Sequence, residues 1–253
     1  MKKTHFCNRL CMLSAICFVL AAVGCKKDDD VTPPVYTNNE LYANAILDAM
    51  VADSTEKVDT LWPISGLNNV LKWKVINGKE YVKMSTFMRF PGSYPEGDSI
   101  TNTWGESWMF IPDQMKLHVN FNASSDTIMR ICQLLGLPPK NSKSNTHIVT
   151  LWVPANRLVR PAGNPDIAST SADARLISTV SADYATWFNN YIIYAYYHTL
   201  QSDTDFHYPW TRLGYTYDWS PDAPNKVGLS EYVLQANTGI WVDKVYTASD
   251  YFK

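Results

Sequence analysis

The sequence lacks the features that identify several functional classes. It has no cluster of Lys or Arg, and its formal net charge is −2, so its charge does not favour binding to nucleic acid or to an anionic lipid surface. It has no Gly-x-Ser-x-Gly motif and no glycine-rich phosphate loop. Internal repeats and a repeated βαβ pattern are also absent. A parallel α/β fold built on βαβ units is therefore not expected.

The first 24 residues have the pattern of a secretory signal. A basic start, with Lys2, Lys3 and Arg9, precedes an apolar run over residues 10–23 that ends in small residues. The run is short for a membrane span, and a short membrane helix that is retained is the alternative interpretation. Removal of residues 1–24 takes away three basic residues and no acidic residue, so the net charge becomes about −5.

The junction after this signal carries a more specific pattern. The segment LAAVGC, residues 20–25, resembles a bacterial lipobox, and the KKDDD that follows resembles the acidic export tag of Bacteroidota surface lipoproteins. The resemblance implies that Cys25 is lipidated as the new N-terminus and that the protein is displayed on the outer face of the outer membrane. Acyl chains bury enough methylene groups to hold a protein on a membrane. Residues 25–37 are then a flexible tether, and the resemblance gives a location rather than an activity.

Cysteine is scarce in the rest of the chain. Three of the five cysteines lie in the signal, Cys25 is assigned to the anchor, and Cys132 alone remains. An intramolecular disulfide is therefore not expected, and an exported protein without one depends on its hydrophobic core for stability. Cys132 lies beside the apolar face of a predicted helix, which is typical of a small buried hydrophobic residue.

The remaining pattern predicts a single α+β domain over residues 38–253, with a mostly antiparallel sheet and about three helices. Asn38 or Asn39 is expected to start the first helix, Ser124 to start the second, and Gly136 to end the second. The predicted helices cover residues 38–53, 124–139 and 181–200.

The third predicted helix is apolar on almost every side. It carries Trp187, Tyr191, Tyr194 and His198 on one stripe. A helix that is apolar all round is expected to be buried or covered by a partner.

The strongest local strand pattern is a β-hairpin around the Asn-Gly pair at 77–78, which suits a type I′ turn. Counting outward from the turn pairs Trp73 with Val82 on an apolar face and Lys72 with Lys83 on a solvated face. Further strands are predicted over residues 103–112 and 147–153 and as a pair within 226–247.

An aromatic-rich segment over residues 206–224 is the main candidate for a binding site. Aromatic rings on a loop offer flat apolar faces that stack on sugar rings, and neighbouring charged groups supply hydrogen bonds. The alternative is a packed Ω-loop whose rings fill the core. The candidate ligand-binding residues are Trp210, Arg212, Tyr215, Tyr217, Asp218 and Trp219.

A hydrolase or transferase is the second hypothesis. Its candidate catalytic residues are Glu231, His207 and Asp218, provided that they converge in one cleft. Strand alternation places Glu231 on the same face as Leu229 and Val233, and an inward carboxylate needs a partner because burial of an unpaired charge is costly. The candidate partners are Arg157, Arg160 and Arg212.

A second enzyme pattern runs along the chain. The order Arg89, Ser169–Ser171, Glu231 resembles the Arg…Ser-Thr-Ser…Glu order of ADP-ribosyltransferases. In that family the Ser-Thr-Ser begins a strand, and another Glu or Gln stands two residues before the last Glu. Here the triplet lies in a predicted surface loop over residues 160–175, and Leu229 occupies the second position.

Metal and cofactor sites are not predicted. His198, Asp203, Asp205 and His207 lie close together in sequence but match no known ligand spacing. The sequence therefore favours a surface binding module over an enzyme, and an adhesin or accessory subunit without a small-molecule site is a third hypothesis. The expected partners are the outer membrane, through the lipid anchor, and an extracellular glycan or other ligand.

Overall fold

The structure is a computed structural model that describes residues 35–119, 126–200 and 206–253. It has a mixed α+β fold with mostly antiparallel sheets, as the sequence predicts, and Tyr36–Lys253 form one compact unit. The predicted signal, Cys25 and residues 26–34 of the tether lie outside the described residues. Within these ranges, no helix is long and apolar enough to cross a membrane.

Four α-helices lie in the described part of the chain, one more than the sequence predicts. The additional helix follows a strand directly and begins at Pro112, a residue whose fixed φ suits the first helical position. The fourth helix continues into a π-helix rather than remaining α-helical to residue 200. The helices are α1 (Asn38–Ala49), α2 (Pro112–His118), α3 (Thr127–Leu134), α4 (Ala182–Ile192) and the π-helix (Ile193–Tyr197).

Capping residues set the ends of these helices. Thr37, rather than Asn38 or Asn39, caps α1, and it forms a reciprocal capping box with Glu40. Asp126 caps α3, while the predicted cap Ser124 lies outside the described residues. Gly136, at φ 63°, ends α3 as predicted, because glycine tolerates this left-handed conformation.

Three antiparallel sheets contain the ten strands of the described residues. A five-stranded sheet has the order β1-β2-β5-β10-β3, a three-stranded sheet has the order β4-β9-β6, and β7 pairs with β8. The strands are β1 (Trp73–Ile76), β2 (Lys79–Met88), β3 (Ser99–Thr101), β4 (Ser107–Met109), β5 (His147–Val153), β6 (Leu158–Val159), β7 (Tyr215–Tyr217), β8 (Val227–Ser230), β9 (Tyr232–Leu234) and β10 (Gly239–Thr247).

The predicted hairpin is confirmed as β1 and β2, and Trp73 pairs with Val82 as expected. The turn residues at 77–78 both have positive φ, of 51° and 74°, as a type I′ turn requires. The two lysines of the solvated face each have an acidic neighbour. The Nζ atom of Lys83 lies 2.7 Å from a carboxylate oxygen of Asp243, and the Nζ atom of Lys72 lies 3.7 Å from one of Asp113.

Strands are present on both sides of the turn predicted at residues 237–239, but they do not form a hairpin. The segment forms three strands, and β9 and β10 lie in different sheets instead of pairing with each other. β9 lies between β4 and β6, whereas β10 lies between β5 and β3. The apolar alternation of both strands is compatible with either pairing, and long-range packing decides between them.

The five-stranded and three-stranded sheets share one hydrophobic cluster, and the helices cover a second one. Val149 and Leu151 of β5 meet Tyr232 and Leu234 of β9 in the first cluster. Cys132 lies in the second cluster, as predicted, and burial raises the pKa of its thiol to about 12.

The predicted surface loop over residues 160–175 is instead organised around a buried cation. Arg160 is completely buried, and its guanidinium lies 4.9 Å from the ring centroid of Tyr232. Five main-chain carbonyls accept its hydrogen bonds, which offsets the cost of burying the charge. They belong to Trp62, Asp166, Ile167, Ser169 and Gly214.

Candidate ligand-binding site

A cavity of about 820 Å³ opens beside α4. This volume lies within the range of pockets that enclose small organic ligands. The end of β2, β4, α4, the π-helix and residues 208–217 all contribute to its walls. Six of the aromatic side chains that line it are Trp104, Trp108, Trp187, Tyr191, Tyr194 and Trp210.

β4 places Trp108 in the cavity wall by strand alternation. Met109 packs into the cluster between the two larger sheets, so the preceding side chain points to the opposite face. There the ring centroid of Trp108 lies 5.0 Å from that of Tyr191. Trp108 therefore contributes its ring to the aromatic wall, and Ser107 and Met109 of the same strand also border the cavity.

The aromatic stripe predicted for the third helix is present. Trp187, Tyr191 and Tyr194 all line the cavity, as the spacing of i, i+4 and i+7 permits, and His198 stacks on Tyr194 at 4.9 Å. Of the two expectations for this helix, burial on every side is not met, whereas cover by a partner stays a prediction. Tyr194 is 47% exposed and Tyr197 is 61% exposed, so one side of the π-helix meets solvent.

Trp210 anchors the aromatic wall from the loop side. Its ring lies edge-on to Tyr191, with centroids 5.0 Å apart at 84°, and to Phe188, with centroids 5.1 Å apart at 62°. Its indole N–H donates to the carbonyl of Pro161 at 3.1 Å. The indole is therefore fixed in position while it also borders the cavity.

Glu231 brings a carboxylate into this aromatic cavity. The residue joins β8 to β9, its main-chain N–H donates to the carbonyl of Gly214 at 3.0 Å, and both flanking residues are buried. Among the described residues, no hydrogen bond or ion pair is formed by its carboxylate. Desolvation by the surrounding protein raises the pKa of this carboxyl to about 8, so the neutral form predominates at neutral pH.

The predicted ion pair of Glu231 with an arginine is wrong. Arg157 donates instead to the Thr238 hydroxyl and the Ala236 carbonyl, each at 3.0 Å. Arg160 is occupied by main-chain carbonyls, and Arg212 likewise donates to carbonyls elsewhere. The inward carboxylate is therefore left open to the cavity.

A second carboxylate and one cation lie among the cavity residues. The Glu106 carboxylate accepts a hydrogen bond from the indole N–H of Trp187 at 2.8 Å, and burial raises its pKa. Burial also raises the pKa of Tyr191, and both Glu231 and Glu106 raise it further. Arg89 is exposed, and its guanidinium lies 5.5 Å from the ring centroid of Phe90.

The predicted aromatic loop does not form an exposed platform. Trp210, Tyr215, Tyr217 and Trp219 are all at most 6% exposed, as the packed alternative requires. Trp210 and Tyr217 line the cavity, whereas Tyr215 and Trp219 do not. Tyr215 to Tyr217 also form the strand β7 rather than loop.

Asp218 is held in a buried ion pair. Its two carboxylate oxygens accept hydrogen bonds from the two terminal nitrogens of Arg130, at 2.9 and 2.6 Å. The residue is only 5% exposed and does not line the cavity. Asp218 is therefore positioned to join α3 to the loop, rather than to bind a ligand or to catalyse a reaction.

Arg212 stabilises the end of α1. Its guanidinium donates to the carbonyls of Ala49 at 3.2 Å and Met50 at 2.9 Å, which have no partner further along the helix. It also lies 5.6 Å from the ring centroid of Tyr196. The predicted ligand contact is thus a helix cap, and its φ of 60° shows that the backbone is strained to place it.

His207 is also separate from the cavity walls. Its Nε2 atom lies 3.0 Å from the carbonyl of His198, and its own carbonyl accepts a hydrogen bond from the Tyr42 hydroxyl at 2.7 Å. Of the three candidate catalytic residues, only Glu231 lines the cavity. The structure does not assemble Glu231, His207 and Asp218 there as one group.

The ADP-ribosyltransferase-like order is brought together only in part. Arg89 and Glu231 both line the cavity, but Ser169–Ser171 do not. The triplet has no strand structure, and the Ser169 hydroxyl donates to the carbonyl of Ser171 at 2.6 Å. The serines are therefore engaged in a local turn within the loop around Arg160.

The described residues contain no group of three or more His, Cys, Asp or Glu side chains that could hold a metal ion. Asp203 and Asp205 lie outside them. Comparisons with models of protein families, with curated proteins and with solved structures gave no match to this chain.

Proposed function

We propose that this protein is a surface-anchored lipoprotein that binds an extracellular ligand, such as a glycan, in the aromatic cavity. The observation that carries this proposal is an open cavity of about 820 Å³ that is lined by nine tryptophan and tyrosine rings and by one unpaired carboxyl group. Aromatic faces stack on sugar rings, and a few polar groups orient the ligand. The lipobox pattern at Cys25 supports the location.

The cavity supports binding more strongly than catalysis. A catalytic site needs its acid, base or nucleophile within reach of one reacting atom. Asp218 is occupied by Arg130, and His207 does not line the cavity. The cavity equally argues against an adhesin without a small-molecule site.

A glycan array probed with the full-length protein tests the ligand class. We expect binding to be lost in Trp187→Ala, because this ring forms part of the cavity wall, and retained in Trp73→Ala, because that ring lies outside the cavity on β1. Equal binding by both variants would show that the cavity is not the binding site. No binding to any glycan would contradict the proposed ligand class.

Metabolic labelling with a palmitate analogue tests the anchor. We expect the wild-type chain to be labelled and Cys25→Ser to be unlabelled, because the thiol of Cys25 is the proposed attachment point. Absence of label on the wild type would contradict the lipoprotein assignment independently of what the cavity binds.

A further inference from the structure

The cavity contains a carboxyl group without a partner, that of Glu231. The Glu231 carboxylate lines the cavity and is contacted by none of the hydrogen-bond donors or cations of the described chain. Burial of a carboxylate without a partner is costly, so proteins generally pair such groups. A cavity residue that remains unpaired is available to pair with a ligand.

The walls around this carboxylate also favour a positive charge. The face of an aromatic ring carries a negative quadrupole, which attracts a cation within about 6 Å of the ring centre. Trp108 and Trp210 lie at 87° to each other, and Tyr191 lies at 84° to Trp210, so the rings form walls in different planes. Rings in different planes can offer their faces to an ammonium group on more than one side.

The other ionisable groups of the cavity do not remove its preference for a positively charged ligand. Glu106 adds a second carboxylate, and Arg89 is the one Lys or Arg among the lining residues. Because Arg89 is exposed to solvent, its charge is strongly screened. The remaining ionisable groups of the lining are the phenols of Tyr94, Tyr191, Tyr194, Tyr208 and Tyr217.

We propose that the cavity binds a ligand bearing an organic ammonium ion, with Glu231 as its counter-ion and the aromatic rings around the positive nitrogen. This inference rests on the proposed binding function and specifies the chemistry of the ligand. A neutral ligand of the same shape gains the apolar contacts but neither the ion pair nor the attraction of the ring faces.

Binding of a cation should displace a proton. Below about pH 8 the carboxyl of Glu231 is mainly neutral, and it must release its proton to the buffer to form the ion pair. Affinity for a permanently charged ligand should therefore rise with pH up to about 8, by up to about tenfold per pH unit, and then level off.

Choline is the probe, because its quaternary ammonium group keeps its charge at every pH. Its control is the neutral isostere in which a tert-butyl group replaces the trimethylammonium group. Titration calorimetry of the full-length protein between about pH 6 and about pH 9 should show about tenfold or greater preference for choline at the high end. Equal affinity for the two compounds would overturn the inference.

Glu231→Gln isolates the carboxylate while it preserves the shape of the side chain. We expect this variant to lose both the preference for choline and its pH dependence, and we expect the matched control Glu80→Gln, on the exposed hairpin, to keep both. A choline preference that survives in Glu231→Gln would overturn the role of Glu231.

A parallel binding experiment with neutral glycans separates this inference from the proposed function. If a neutral glycan binds and Trp187→Ala abolishes its binding, while choline shows no preference over its isostere, the ammonium inference fails and the cavity remains the binding site. If neither choline nor any glycan binds, both proposals fail.

Discussion

Two aromatic regions of this molecule, the loop over residues 206–224 and the helical segment from α4 through the π-helix, have similar composition and different surroundings. In the loop, Trp210, Tyr215, Tyr217 and Trp219 are 3–6% exposed. In the helical segment, Tyr194 is 47% exposed. The loop rings thus resemble core residues, whereas part of the helical segment meets solvent.

Hydrogen bonds from the loop rings to other parts of the chain also tie the loop to the core. Within the loop, the Trp219 indole donates to the Leu137 carbonyl at 2.9 Å, and the Tyr217 hydroxyl donates to the Asp48 carboxylate at 2.8 Å. Aromatic residues whose polar atoms bind other parts of the chain hold the fold together. Aromatic composition alone therefore does not separate structural rings from ligand-binding rings.

The largest effect should come from Trp219→Ala. The side chain is 3% exposed and lies edge-on to Tyr42, so its removal leaves a large cavity and an unpaired carbonyl. We expect a loss of about 3–5 kcal/mol in the free energy of unfolding, measured by chemical denaturation followed by circular dichroism. Trp73→Ala, at a 36% exposed ring, is the matched control and should cost less than about 1 kcal/mol. A folded Trp219→Ala variant with wild-type stability would show that this ring does not hold the loop to the core.

Asp218→Asn should have the next largest effect. The change removes a charge from a pair whose side chains are 22% and 5% exposed, and it leaves Arg130 without its counter-ion. We expect the free energy of unfolding to fall by about 2–4 kcal/mol, less than for a fully buried pair because Arg130 reaches solvent. Ligand binding by the folded fraction should be unchanged, and a selective loss of binding at wild-type stability would instead restore Asp218 as a ligand contact.

The pH dependence of stability should report the titration of the Glu231 carboxyl group. Its pKa is near 8 in the folded protein and near 4.5 when the chain is unfolded, so the folded state binds the proton more tightly. The free energy of unfolding should therefore fall as pH rises from about 4.5 to about 8, by about 2 kcal/mol, which is less than the full pKa difference implies because Glu231 is only partly buried. In Glu231→Gln this decrease should disappear, and its persistence at full size would assign it to another group.

Tyr194→Ala should have the smallest effect on stability. It tests whether the helical segment binds the ligand or, like the loop, holds the fold together. Nearly half of the side chain is exposed and its ring contacts are with His198 and two tyrosines at the cavity mouth, so we expect a change within about 1 kcal/mol. Affinity for the cavity ligand should fall several-fold in the same calorimetric titration. A large loss of stability with unchanged affinity would make this segment structural, like the loop.

The parts of the fold that were predictable depend on local chemistry. The hairpin follows from one Asn-Gly turn and the alternation on both sides of it, and the end of α3 follows from Gly136. Pairing between distant strands, such as that of β9 with β4, does not leave a local signature. The sequence therefore predicted the α+β class, but not the division of the strands into three sheets.

Only separate parts of the cavity wall were predictable from the sequence. The stripe of Trp187, Tyr191 and Tyr194 and the alternation around Trp108 are both visible in the sequence, but nothing local shows that they face each other. The same limit applies to Glu231, whose inward direction was predicted correctly while its arginine partner was not. Which carboxylate remains unpaired depends on where three arginines find their carbonyl acceptors, and that is a property of the folded chain.

The π-helix Ile193–Tyr197 has a consequence for how this cavity could arise or be lost. A π-helical turn accommodates one more residue than an α-helical turn, so it is equivalent to a single-residue insertion in an ordinary helix. Deletion of Ile193 would let an α-helical turn replace the π-helical one, and it would move Tyr194 one position closer to Tyr191, a change of about 100° around the helix axis. One codon therefore separates a helix whose tyrosines surround the cavity from a helix that turns Tyr194 away from it.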